Sequence, residues 1–366
     1  MPISPSRFRD HAARLLRASW LHPLNDTDAL NDLLALANPR WSLTEIRAEV
    51  IGREPQTADA VSLWLRANRL WKGFRAGQHV PISVEIDGVR ETRVYSLSCD
   101  PAVPGLLTLT VKRQKDGRVS NWLHDHLRVG DIVTLGDAGG DFVLPDDCGP
   151  VLLLSAGSGI TPMLALLHEL RARHRAGRFA HDVRLVHVCR DAGDQIFASE
   201  LRELARDWPA LRITHWHSAD QGRPTPDALL ATVADHSERD TWLCGPAAFM
   251  AGIETHWREK SCAGTLHLER FGAAPQRLEG GEAAEVRCAR SERVFNTEAG
   301  EALLPAAERA GLNPAYGCRI GVCRTCLCHK RSGTVENLVT GERSGNGDEW
   351  IRLCVSTPRS DLELDL

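Results

Sequence analysis

The chain has 366 residues, and 44 lysines and arginines against 48 aspartates and glutamates leave a formal net charge of −4. An apolar share of 43% beside 25% charged residues excludes wholesale disorder, and the near-neutral balance argues against a nucleic-acid partner. At roughly 150 residues per domain the length predicts two to three domains, and no apolar run approaches the roughly 18 residues of a membrane span.

Residues Met1–Asp10 show no secretory signal, so the expected location is cytoplasmic. Eleven cysteines in such a chain point to metal or redox use rather than a disulfide framework. Residues 1–46 read as a helical lead-in. Phe8, Ala12, Leu15 and Leu16, then Leu30, Leu33, Leu34 and Ala37, recur at helical spacing on either side of Asn25-Asp26.

Over 47–147 the pattern changes to short alternating strands, at Arg47–Ile51, Val61–Leu65, His79–Ile86 and Leu107–Lys112, with turns at Asp87-Gly88 and Asp116-Gly117. This spacing predicts a small closed or nearly closed antiparallel β-barrel. Arg93-Val94-Tyr95-Ser96 ends one strand. Its guanidinium suits a phosphate, its ring a flavin face and its hydroxyl the flavin N5 edge. Gly117-Arg118-Val119-Ser120 opens a helix, with Ser120 expected as the N-cap and the free N–H groups as a pyrophosphate site.

Over 148–272 the grammar is strand, glycine turn, helix. Val151–Ser155 is a continuous apolar run, followed by Gly157-Ser158-Gly159-Ile160-Thr161-Pro162 and a helix to Arg175. Strands at Val183–Cys189, Arg212–His217 and Thr241–Cys244 and a helix at Ser199–Asp207 complete a Rossmann-like βαβ series. The turn lets a nucleotide pyrophosphate reach backbone N–H groups, and Thr161 adds a hydroxyl for the nicotinamide amide. Pro275 and Gly280-Gly281-Glu282 mark a linker over 273–283.

Over 284–366 the chain carries Cys318-x4-Cys323-x2-Cys326, with Cys354 following after 27 residues. This is the plant-type thiolate spacing around a [2Fe–2S] cluster. Zinc is the alternative, but zinc sites usually show two C-x2-C pairs and only Cys323/Cys326 forms one. Cys328 competes with Cys354 as fourth ligand; Cys354 is preferred because a distant segment closes the cluster from its other side. Cys99, Cys148, Cys189, Cys262 and Cys288 read as ordinary thiols, and His79, His124 and His126 as surface or core residues.

Val294-Phe295, the helix at Ala302–Ala310, Gly311-Leu312 and Tyr316-Gly317-Cys318 resemble plant-type ferredoxins, which implies a β-grasp fold. Arg93–Ser96, Gly117–Ser120, Gly140-Asp141-Phe142, Gly157–Pro162 and Cys244-Gly245-Pro246 together resemble the ferredoxin–NADP reductase superfamily. The resemblance implies FAD rather than FMN, since the Gly-x-Val-Ser turn holds the second phosphate. It also makes Cys244 and Ser96 the candidate catalytic residues, with Cys244 beside the hydride-donating carbon, and Phe271 and Glu269 further candidates.

Arg190 lies where that superfamily reads the adenosine ribose. A cation there suits a 2′-phosphate, so NADPH is favoured over NADH, although Asp191 and Asp194 would oppose it. Three cofactor modules in this order imply electron flow from NAD(P)H to FAD to [2Fe–2S], without an essential general base. The whole chain resembles fused flavin/ferredoxin reductases. His22-Pro23-Leu24 through Asn38-Pro39-Arg40-Trp41-Ser42 resembles the lead-in of reductases serving stearoyl-CoA-type acyl desaturases. The expected acceptor is therefore a diiron acyl desaturase or similar iron oxygenase, and the reductase would sit peripherally at a membrane if that partner is embedded. A Rieske-type or other non-haem iron hydroxylase is the alternative acceptor, and a redox-sensing binder the alternative class.

Overall fold

The structure is a computed structural model that describes residues 27–271, 281–317, 319, 321 and 325–366. Of the lead-in it describes α1 (Thr27–Ala37) and the turn that follows. Asn31 pins this helix: its amide donates to Thr44 Oγ1 at 2.9 Å and its oxygen accepts from the Leu43 N–H at 2.8 Å. Earlier expected positions, such as Phe8 and His22, lie outside the described residues.

The first sheet contains β1 (Ile46–Thr57), β2 (Ala60–Ala67), β3 (His79–Ile86), β4 (Val89–Ser96), β5 (Leu106–Lys112) and β6 (Ile132–Leu135). They pair antiparallel in the order β4-β3-β6-β1-β2-β5. Val80, Ile82, Val84 and Ile86 alternate into the core of this sheet, as a half-buried strand requires. Its two edges meet at a single bridge, Leu97 opposite Leu109, beside a 3.0 Å bond from the Ser98 N–H to the Thr108 carbonyl. The helix α2 (Arg118–Asp125) closes one end by burying Val119 and Leu123.

The second sheet contains β7 (Val151–Ala156), β8 (Val183–Cys189), β9 (Leu211–His217), β10 (Asp240–Gly245) and β11 (Leu266–Arg270). All five are parallel, in the order β11-β10-β7-β8-β9. Helices α3 (Ile160–Arg175) and α4 (Ala198–Asp207) cover one face; α5 (Pro226–Leu230) and α6 (Ala247–Glu259) cover the other. Val151 and Leu153 face the first pair, Leu152 and Leu154 the second, which explains why β7 is buried at every position and apolar through Leu154. The sequence reading ends this sheet at Thr241–Cys244; the structure adds Leu266–Arg270, which places Glu269 on an edge strand. A five-residue strand whose leucines are half-buried at Leu266 and exposed at Leu268, and whose one buried residue is Glu269, carries too little apolar pattern to be seen.

The third sheet contains β12 (Glu285–Cys288), β13 (Val294–Asn296), β14 (Leu327–Ser332), β16 (Glu349–Arg352) and β18 (Leu362–Leu364), in the order β13-β12-β18-β14-β16. A separate ribbon pairs β15 (Val335–Asn337) with β17 (Ser356–Pro358), and α7 (Leu303–Arg309) buries Leu303, Leu304, Ala306 and Ala307 against the core. Lys330 is fully buried here. Its ammonium is satisfied by the carbonyls of Gly333, Gly345 and Gly347 at 2.6–3.0 Å and by Glu349 at 3.1 Å.

Candidate redox site

In the second sheet the chain runs outward through β7, β8 and β9, then returns to add β10 and β11 on the other side of β7. The crevice at the carboxyl ends of β7 and β10 is thus a topological switch point, where open α/β sheets bind ligands. Both nicotinamide motifs end there. Gly157 has φ +55° with open space where a side chain would stand. A Cβ on Gly159 would fall 2.1 Å from the Cys244 carbonyl oxygen, so only glycine lets the turn close on the end of β10. Gly245 is equally confined, with Phe249 Cδ1 2.8 Å from the place of its Cβ, and Pro246 caps α6 in extended conformation.

Thr161 and Pro162 are buried in the first turn of α3. The Thr161 hydroxyl donates to the Ser158 carbonyl at 3.0 Å, so toward an incoming carboxamide it has lone pairs rather than a hydrogen to offer.

Cys244 is fully buried, and burial, reinforced by Glu269, pushes its thiol well above the ordinary range. Glu269 stands directly opposite Cys244 in the β10–β11 register. Its carboxylate accepts from Ser96 Oγ at 3.2 Å and lies 3.0 Å from His79 Nδ1. Ser96 and His79 are themselves paired across β3 and β4. The two sheets therefore meet through Ser96, His79, Glu269 and Cys244. His79, read from the sequence as a surface or core residue, is corrected to a residue of this junction; its place opposite Ser96 in a predicted hairpin is the signal that points to it.

Arg93 donates to the Thr92 carbonyl at 2.8 Å and pairs with Glu91 at 3.3 Å, while part of its side chain stays exposed. Tyr95 is packed against the first core, and burial pushes its hydroxyl up against a smaller downward pull from Arg93. The expected cap at Ser120 is corrected: Gly117 is the N-cap, in extended conformation and without a side-chain cap bond. Ser120 lies inside the first turn, where Oγ accepts from the Gln114 N–H at 3.2 Å and donates to the Gly117 carbonyl at 3.3 Å. The first-turn N–H groups of Arg118, Val119 and Ser120 are left for an anion, so the geometry fits a pyrophosphate.

Arg190 follows β8 with its side chain two-thirds exposed, 3.3 Å from Asp194 and 3.8 Å from Asp191. Asp194 also takes Lys112 of β5 at 2.5 Å. Burial draws the Asp194 carboxyl up, but Lys112 and Arg190 together outweigh it and hold the group below the usual range. Its charge is thereby shared between two cations, and its expected opposition to a 2′-phosphate is weakened. Phe271 stands two residues beyond Glu269 and is exposed.

In the third sheet, Cys326 and Cys354 are buried with their Sγ atoms 3.2 Å apart. Cys328 turns elsewhere: its Sγ lies 3.6 Å from the His329 carbonyl, and burial pushes its thiol up to about 11. Cys318 and Cys323 lie outside the described residues. Arg319, between them, has φ +60°, makes two bonds to the Glu308 carboxylate at 2.6 and 2.9 Å, and stacks 4.0 Å over Tyr316. Arg352 donates to the Gly321 carbonyl. These two arginines, which sequence reasoning passed over, tie the cysteine loop to α7 and β16. Two converging thiols in a positively buttressed loop fit an anionic iron–sulfur cluster.

Residues 53–143 match the oxidoreductase FAD-binding domain, 153–255 the oxidoreductase NAD-binding domain and 286–359 the 2Fe-2S iron-sulfur cluster binding domain. The chain is 34% identical to an NADPH oxidoreductase of Mycobacterium tuberculosis (strain ATCC 25618 / H37Rv) over 97% of its own length and 92% of the relative's. It is 33% identical to the ferredoxin reductase component of a 3-ketosteroid-9-alpha-monooxygenase of Mycolicibacterium smegmatis, covering 86% and 94% of the two chains. Among solved structures, phthalate dioxygenase reductase, described as modular for electron transfer from pyridine nucleotides to [2Fe–2S], aligns with a TM-score of 0.60. That match has 28% identity and covers 88% of this chain and 98% of the other.

Proposed function

Since the chain belongs to the ferredoxin–NADP reductase superfamily, as an NAD(P)H-dependent flavoprotein with FAD-binding, NAD-binding and [2Fe–2S] domains, we propose that it is the reductase component of a non-haem iron monooxygenase of the Rieske type. The observation that carries the electron path is the 3.2 Å bond between Ser96 of the flavin sheet and Glu269 of the nicotinamide sheet. Similarity to a monooxygenase reductase component over 86% of the chain supports the acceptor. The domain limits we propose, 47–147, 148–272 and 284–366, each enclose one matched family segment. We read the first sheet as a barrel closed at Leu97–Leu109 and the third as a β-grasp.

When bound, FAD supplies the conversion of a two-electron hydride into single electrons that the cluster carries outward. Arg93 and the first turn of α2 would hold its phosphates, and Tyr95 would cover the ring. The Gly157–Gly159 turn would hold the nicotinamide nucleotide, with Arg190 on a 2′-phosphate favouring NADPH. Cys244, fully buried, would supply a dry wall to the nicotinamide pocket. Glu269 fixes the rotamer of Ser96, whose proton it accepts in a hydrogen bond, and fills the space that water would otherwise take. Cys318, Cys323, Cys326 and Cys354 would hold the cluster.

In the holoenzyme, Cys326→Ser should abolish NADPH-dependent cytochrome c reduction while sparing ferricyanide reduction at the flavin. Equal loss of both would sink the serial path. A diiron acyl desaturase, the acceptor expected from the lead-in sequence, is the second reading. That segment frames a cavity of about 480 Å³ lined by Leu34, Trp41, Leu43 and Ala67, with Trp41 half exposed. Reconstitution with purified Rieske-type oxygenase or desaturase, comparing product formed per NADPH, separates the two.

A further inference from the structure

Cys262 was expected to be an idle thiol, but the fold sets it among two histidines. We propose that His236, His256 and Cys262 form a zinc site at the opposite end of β10 from Cys244. One ligand atom from each residue lies within 4.8 Å of the others, and the two imidazole rings are centred 5.6 Å apart.

The site is assembled by backbone contacts that do not depend on a metal. The N–H groups of Ala263 and Gly264 both donate to the Ser237 carbonyl, at 2.8 and 2.9 Å, clipping the Cys262 loop to the turn that carries His236. A Cβ on Gly264 would stand 2.0 Å from the Arg239 carbonyl oxygen, so this close approach requires glycine. Trp257 donates its indole N–H to the Gly264 carbonyl at 2.9 Å, which fastens the same loop to α6. Arg239 is buried and bridges Asp235 and Asp182, holding the His236 turn against the sheet.

Both histidines are set as ligands. His256 Nδ1 faces the Asp227 carboxylate at 2.9 Å, and His236 Nδ1 faces the Val233 carbonyl at 2.9 Å. Each of these oxygens accepts a hydrogen, which assigns the proton to Nδ1 and leaves the Nε2 lone pair free. That is the carboxylate- or carbonyl-oriented imidazole found in metal sites. His256 is more than nine-tenths buried, and its Nε2 has no hydrogen-bond partner. A buried polar atom without a partner calls for an unobserved one, and an ion suits a lone pair on an imidazole that clusters with a second imidazole and a thiol.

Two imidazoles and a thiolate are a zinc donor set, and half-buried His236 and Cys262 leave a side open for a water as fourth ligand. Tetrahedral zinc with bonds of about 2.0–2.3 Å places its ligand atoms about 3.3–3.7 Å apart. The ligand atoms, now within 4.8 Å of one another, would have to close by about 1 Å on binding, a span the half-buried Cys262 side chain is placed to take up. The ion would join the last turn of α6 to the turn before β10, and so brace the two elements whose other ends form the nicotinamide motif.

The test uses the holoenzyme, loaded with flavin and cluster, incubated with zinc alone and desalted. One equivalent of zinc should remain beside the two irons of the cluster, and X-ray absorption should show one sulfur at about 2.3 Å with nitrogens at about 2.0–2.1 Å. Cys262→Ser and His256→Gln should each lose the zinc while keeping the iron and NADPH–ferricyanide turnover, which certifies that the variants are folded. Zinc should raise the melting midpoint of the parent protein and not of the variants. Failure of the parent to retain zinc, or equal retention by the variants, would overturn the site.

Discussion

The Ser96 hydroxyl donates to the Glu269 carboxylate at 3.2 Å, joining the last residue of β4 in the flavin sheet to the edge strand of the nicotinamide sheet. Because Glu269 stands beside Cys244 in register, this bond aligns the hydroxyl of one module with the thiol of the other. Glu269→Ala should slow flavin reduction by NADPH about 10- to 100-fold, as expected when a positioning contact is lost. Glu269→Gln, which keeps an acceptor for Ser96, should slow it less. Stopped-flow bleaching of the flavin band measures both, and equal rates for the parent and Glu269→Ala would remove Glu269 from the site.

Gly159→Ala forces a methyl carbon onto the Cys244 carbonyl 2.1 Å away. The turn and the end of β10 must separate, at a cost of about 1–3 kcal/mol. The expected result is a raised KM for NADPH and a lowered melting midpoint, with flavin retained.

Arg190→Gln should raise the KM for NADPH several-fold and leave that for NADH nearly unchanged. Lys112 remains paired with Asp194, so the surrounding loop stays in place. An unchanged NADPH-to-NADH ratio in steady-state assays would show that Arg190 does not read the 2′-phosphate.

Cys354→Ser should leave purified protein depleted in iron and sulfide, whereas Cys328→Ser should retain both. The distinction follows from the 3.2 Å contact of Cys354 with Cys326, against a Cys328 thiol that faces a backbone carbonyl. Full iron in Cys354→Ser would return Cys328 to the ligand set.

His187 sits wholly buried in β8, with Ser155 Oγ 2.8 Å from its Nδ1. Burial, reinforced by neighbouring His215, pushes it from 6.5 down to about 3. The unfolded chain therefore takes up a proton that the folded one refuses. Stability is complete above pH about 6.5 and falls as the pH drops toward 3, by a limit on the order of 5 kcal/mol. Urea midpoints between pH 7 and 4 should show a shallower decline in His187→Gln, whose amide still meets Ser155.

What the sequence determined by itself is what a few consecutive residues can encode. A glycine turn after a buried strand, a Cys-x4-Cys-x2-Cys loop and a strand ending Arg-x-Tyr-Ser each carry their chemistry within one stretch of backbone, so the three modules and their order were legible. The helix start at Gly117–Ser120 was legible too, although the cap fell to Gly117 because capping needs the extended residue ahead of the helix. The tertiary structure decided every relation that depends on strand order and register. Glu269 meets Ser96 only because β11 adds to the sheet at its edge, and Cys354 meets Cys326 only because β16 pairs antiparallel with β14, which brings the residues after β16 beside those before β14. Cys262 meets His236 and His256 through one carbonyl, that of Ser237, and no spacing along the chain announces such a contact.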